Sequence, residues 1–198
     1  AARMTGTEVE ITFIKSCSNM RINTGLNQLM QRNLVGVAPV QLEEEDLELA
    51  RRSRETLGPV HSYFDTVAAE ITDPEERARV AADADSLVHR IVLPLARERQ
   101  GFVSSDVGDV SWNCPVAQIN SAAMPAGVPM HSWQMVAVGK SAMAKKGMLY
   151  AAKVMAGSAI DALEDPEIIR RAQEEFCQRT GGQKYASPIP PEVKPRID

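Results

Sequence analysis

Residues 104–133, SSDVGDVSWNCPVAQINSAAMPAGVPMHSW, gather Asp106, Asp109 and His131 beside both tryptophans of the chain, Trp112 and Trp133. Pro115, Pro125, Gly127 and Pro129 punctuate the stretch with turns. A neutral imidazole at His131 suits Zn, Mn, Co or Ni, and carboxylates supply hard oxygen. Asp106 and Asp109 could bind an ion directly or hold the histidine from behind. The bland alternative is an aspartate pair that caps a turn and a histidine hydrogen-bonded within its loop. A glycine at 127 allows backbone or ligand to come close. A hydrolytic metal site takes about three protein ligands and a general base. The chain has no HExxH, and His61 and His89 lack a His or Cys at i+3 or i+4, so both read as surface or interface histidines. Counting ligands makes the stretch one wall of a site.

The elements that would carry this wall follow from periodicity. In residues 7–16, Val9, Ile11 and Phe13 alternate with Glu8, Glu10 and Thr12, the period of a half-buried strand. Thr5-Gly6 before it is turn chemistry. Asn23 is placed to cap a helix through its side-chain oxygen; Leu26, Leu29, Met30 and Leu34 follow at helical spacing, ending at Gly36 and Pro39. A second helix spans 42–57, acidic at its start and basic later, as the helix dipole favours, with Gly58-Pro59 as its stop. Thr72-Asp73-Pro74 opens a helix that should continue to about Val92, broken by Pro94. Residues 116–123 read as a short buried strand leading into the loop before His131. A long helix should span 138–163, with small residues for close packing and a Met stripe as core filler. Asp165-Pro166 starts the last helix, which Gly181-Gly182 ends. The proline-rich tail from Tyr185 should lie over the surface. The pattern as a whole is α/β.

A length of 198 residues suffices for one medium domain, or one domain and part of another. The net charge of −4 and the lack of a basic block argue against nucleic acid. Three scattered cysteines without a CxxC fit a reducing compartment. Neither an export signal nor a membrane-spanning run is present; a cytoplasmic location is expected. The start at Ala1, just before a strand pattern, suggests a fragment or processed product. No phosphate loop, GxGxxG or nucleophile elbow is found.

SSDVGDVSW, PAGVPMHSW and GKSAMAKKGMLYAAKVMA resemble the C-terminal part of aminobenzoyl-glutamate hydrolases, within the dimetal aminoacylase, carboxypeptidase and amidohydrolase superfamily. MTGTEVEITFIKSCSNMRIN and the LNQLM helix resemble the closing segment of the smaller lid domain of those proteins. The likeness extends from about Ala2 to Pro188 and is thinnest over 60–100. It implies that residues 1–38 close an inserted α+β lid and dimerisation domain, and that residues 39–198 complete an α/β/α catalytic domain. It implies that His131 is a metal ligand, that Asn23 and Gly127 lie on the substrate side, and that Asp106 and Asp109 stand behind the site. The implied cofactor is a divalent metal, Zn or Mn, with two ions in the complete enzyme. The implied substrate is an N-acyl or N-aroyl amino acid. The implied partners are the N-terminal half of the same protein and a second copy joined through the lid domain. The other ligands and the basic glutamate would belong to that N-terminal half, leaving this chain inactive alone. A non-catalytic interaction or regulatory module that keeps the fold without a metal centre is the alternative.

Overall fold

The computed structural model describes residues 1–58, 63–95 and 105–194. His61, Pro59 and Ser104 lie outside them, as does the end of the tail. Nine helices are described: α1 (Ala2–Thr5), α2 (Thr24–Gly36), α3 (Glu44–Glu55), α4 (Tyr63–Glu70), α5 (Pro74–Asp83), α6 (Val107–Val110), α7 (Trp133–Val138), α8 (Ala142–Glu164) and α9 (Pro166–Thr180). Among the described residues there is no strand, so the α/β assignment, with its α/β/α layer, is corrected to a helical one.

The physical reason lies in what alternation encodes. A period of two specifies which face a segment buries, but a strand exists only when a neighbour takes its backbone hydrogen bonds. Residues 7–16 have no ladder partner, and their apolar side chains face solvent, Ile11 at 87% exposure. Residues 115–123 are laid down by isolated bonds instead. Val116 O accepts from Asn23 N at 2.8 Å, Gln118 N donates to Asn27 Oδ1 at 3.3 Å, and Ser121 Oγ donates to Gly147 O at 3.1 Å.

Several helix expectations hold. Asn23 caps α2, its side chain accepting from Leu26 N at 3.0 Å. Gly181 ends α9 in the left-handed conformation, φ 62°; Gly6, read as a turn before a strand, instead ends the unexpected α1 at φ 67°. The helix expected to reach Val92 stops at Asp83, whose carboxylate accepts from Ser86 Oγ at 2.9 Å and holds a turn. α4, just before it, was not foreseen. The helix expected over 138–163 is α8, which starts at Ala142, where the Ser141 hydroxyl accepts from Ala144 N at 3.1 Å; a separate short helix, α7, ends at Val138.

α2 lies against α8 and α9, which also touch each other; α4 pairs with α5. One cluster of the core joins Ala50, Val88 and Met143, with Leu42, Leu87 and Ala122 packed on it; another joins Ala68 and Val80. The small residues of α8 do permit close approach. A Cβ on Gly147 would stand 2.6 Å from Ala122 O, and one on Gly157 would collide with the Asn33 side chain. Asn33 Nδ2 in turn donates to Asp161 Oδ2 at 2.7 Å, tying α2 to α8.

Candidate functional site

The turn built on α6 grips the loop ahead of α2. Ser18 N donates to Asp109 Oδ1 at 3.0 Å, Arg21 N donates to Ser111 Oγ at 2.8 Å, and Trp112 Nε1 donates to Asn19 O at 2.9 Å. The Arg21 guanidinium lies 3.9 Å from the centre of the Trp112 ring, within cation–π range. Tyr185 of the tail donates its hydroxyl to the same Asp109 Oδ1 at 2.8 Å. Hydrogen bonds from the Ser18 side chain and then Tyr185 hold the Asp109 carboxyl below its ordinary pKa. Asp106 pairs with Lys15 at 2.7 Å, and that contact lowers its pKa in the same way. Both aspartates therefore bind the 15–21 loop.

That loop delivers Asn23, which is 3% exposed. Besides capping α2, its Nδ2 donates to Ala172 O at 2.9 Å, fixing α2 against α9. Glu175 reinforces this joint by accepting from Thr24 N and Gly25 N at 2.8 and 3.1 Å. Burial pushes the Glu175 carboxyl up, but those two backbone N–H groups outweigh it, and the net shift is downward.

Gly127 sits in a loop docked by Ala126 N donating to Leu87 O at 2.8 Å, with Pro125 buried beneath. Its φ of 82° is the left-handed region that favours glycine. The loop lines a cavity of about 530 Å³, shared with Asn27 and Gln31 of α2, His89, Asn120 and Tyr150. His131 follows four residues later, just before Ser132, whose hydroxyl caps α7 by accepting from Met135 N at 3.2 Å. His131 is exposed and has φ 60°, a conformation uncommon outside glycine. It does not line the cavity, nor does Asn23.

The predicted residues thus fall into three places: Asp106, Asp109 and Asn23 around the loop joint, Gly127 at the cavity, and His131 on the outer surface of the next turn. Among the described residues no three His, Cys, Asp or Glu side chains come together to hold a metal. The described residues do not by themselves fit a divalent metal; at the predicted position they offer the exposed imidazole of His131.

Sequence reasoning missed the pairing of His89 at the cavity. Its Nδ1 lies 2.9 Å from Asp83 Oδ2 and 3.1 Å from Asp83 O. The partner stands six residues back, across the turn that ends α5, so a search at i±3 and i±4 passes over it. The three cysteines are all free, and no helix among the described residues is long and apolar enough to cross a membrane.

The chain is 34% identical over 197 residues to a subunit of the p-aminobenzoyl-glutamate hydrolase of Escherichia coli (strain K12). The match takes in 98% of this chain and 41% of that relative, so the chain spans about two fifths of its relative's length. The likeness to aminobenzoyl-glutamate hydrolases read from the motifs therefore holds along nearly the whole chain. No family model and no solved structure matches it.

Proposed function

We propose, on the premise that this chain is a homologue of part of an aminobenzoyl-glutamate hydrolase, that it belongs to a longer amidohydrolase. That enzyme cleaves the amide bond of N-acyl or N-aroyl amino acids, with p-aminobenzoyl-glutamate as the reference substrate. The observation that carries this is the 34% identity sustained over 98% of the chain. Within it, His131 is one ligand for Zn or Mn, and the complete enzyme holds two ions. The remaining ligands and the general base come from residues outside these 198. Such an ion supplies Lewis acidity to an amide hydrolase.

The chain's own residues supply positioning. The Gly127 loop, pinned to Leu87 and free of a Cβ at its tip, gives the substrate a close backbone wall. Asn23 sets the angle at which α2 meets the segment before it; to reach the substrate it would have to release Ala172 O or the cap of α2. The first 38 residues belong to the lid through which two copies of a cytoplasmic protein join.

The test is metal content and hydrolysis in the longer protein with His131→Ala. Hydrolysis should fall by roughly two orders of magnitude or more, since even groups behind a metal ligand cost 10–100-fold, and bound metal should drop with it. Full metal retention and unchanged turnover would remove His131 from the site. A folded wild-type protein that holds no metal and hydrolyses no N-acyl amino acid would favour a non-catalytic module instead.

A further inference from the structure

The cavity beside the Gly127 loop is held open by bonds within its own walls. Gln31 Nε2 donates to Leu93 O at 2.7 Å, and Arg79 Nη2 donates to Val92 O at 2.8 Å. Tyr150 donates its hydroxyl to Leu34 O at 2.7 Å, and Ser121 Oγ donates to Gly147 O. Walls fixed in this way lose little freedom when a ligand enters. A volume of about 530 Å³ is ordinary for a small-molecule site.

The same bonds decide what the cavity can recognise. Gln31, Ser121 and Tyr150 spend their donors on backbone carbonyls, and His89 is held by Asp83. The rest of the wall is aliphatic: Leu34, Val40, Ile91, Leu93, Met124 and Val128, all half-buried. Three further polar side chains line it, Arg90, Gln118 and Asn120. All three are exposed, and none has a side-chain hydrogen bond or ion pair among the described residues. Among those residues no acidic side chain lines the cavity. The nearest carboxylate in the framework, Asp83, faces the His89 imidazole. Arg90 is therefore an uncompensated cation at the exposed edge of an apolar pocket.

We propose that this cavity binds a small carboxylate with an apolar body, the body among the aliphatic walls and the carboxylate paired with the Arg90 guanidinium beside the Gln118 and Asn120 amides. The planar fork of a guanidinium matches a carboxylate in two parallel bonds. A ligand with a second charge on its body is a poor occupant, because that charge would lose its water among aliphatic side chains. His131 does not line the cavity, so the site is separate from the candidate metal ligand and does not depend on hydrolysis.

The test is calorimetric binding to the native polypeptide, with 3-phenylpropanoate, its neutral amide and acetate as probes. The aromatic acid should bind about tenfold more tightly than the amide, the usual worth of a hydrogen bond to a charged group, and more tightly than acetate, which has the charge without the body. Arg90→Gln should abolish the preference for acid over amide; the side chain is exposed and unpaired, so the fold should tolerate the change. No binding of the aromatic acid, or equal binding of acid and amide, would overturn the proposal. A preference that survives Arg90→Gln would overturn it too, by placing the carboxylate on another cation. Acetate binding as tightly as the aromatic acid would remove the apolar wall from the site. A protein that shows the preference and hydrolyses nothing would count against the hydrolase reading alone.

Discussion

Lys146→Met is expected to destabilise the fold by about 3 kcal/mol, the low end of what breaking a buried ion pair costs. Asp46 is 2% exposed, and Lys146 Nζ stands 2.6 Å from its Oδ2. The same oxygen accepts from Glu43 N at 2.9 Å, so one carboxylate both closes the start of α3 and anchors α8 to it. Removing the ammonium leaves a charge with little water to turn to. The Glu43 N–H remains, and Lys146 is itself partly exposed, which is why the low end applies. Burial pushes the Asp46 carboxyl up, but the Glu43 N–H and the Lys146 ammonium outweigh it and hold its pKa below the ordinary value. A carboxyl lowered on folding contributes stability that is present above its unfolded pKa, about 3.9. That contribution is lost as pH falls through the folded value. Urea unfolding at neutral pH and on acidification should show the loss in the variant and a flatter dependence on pH. A change under about 1 kcal/mol would mean that the pair is solvated like an ordinary surface pair.

Gly108→Ala should cost about 2–3 kcal/mol, the upper range for a side chain forced into filled space. The added Cβ would run into the Ser18 carbonyl oxygen and stand 3.1 Å from Ser18 C. Both are backbone atoms, and the Asp109, Ser111 and Trp112 bonds hold that backbone on either side. The loop can yield only by giving up several of these bonds together. The variant should lower the thermal midpoint and shift Trp112 fluorescence as Arg21 leaves the ring. An unchanged midpoint and spectrum would mean that the loop is not clamped there.

What the sequence made legible was local chemistry. The Asn23 cap, the Asp73 and Asp165 starts with proline behind them, and the left-handed glycines follow from one residue and its near neighbours. The strands at 7–16 and 116–123 did not survive, because strand formation depends on a partner that alternation cannot name. Asp106 and Asp109 were expected behind a metal ligand, and the sequence did not show the loop that they bind. They hold the 15–21 loop, some ninety residues earlier in the chain, a distance no spacing rule reaches. The link between His89 and Asp83 was hidden by a helix end that the capped pattern from Thr72 did not reveal.

A chimera puts the functional reading to its most direct measurement. Residues 1–198 replace the matching stretch of the Escherichia coli relative, and p-aminobenzoyl-glutamate hydrolysis is assayed in that relative's own assembly. Turnover within about tenfold of the parent, a difference of roughly 1.4 kcal/mol in barrier, is the expected result. A folded, correctly assembled chimera with no hydrolysis above background would contradict it.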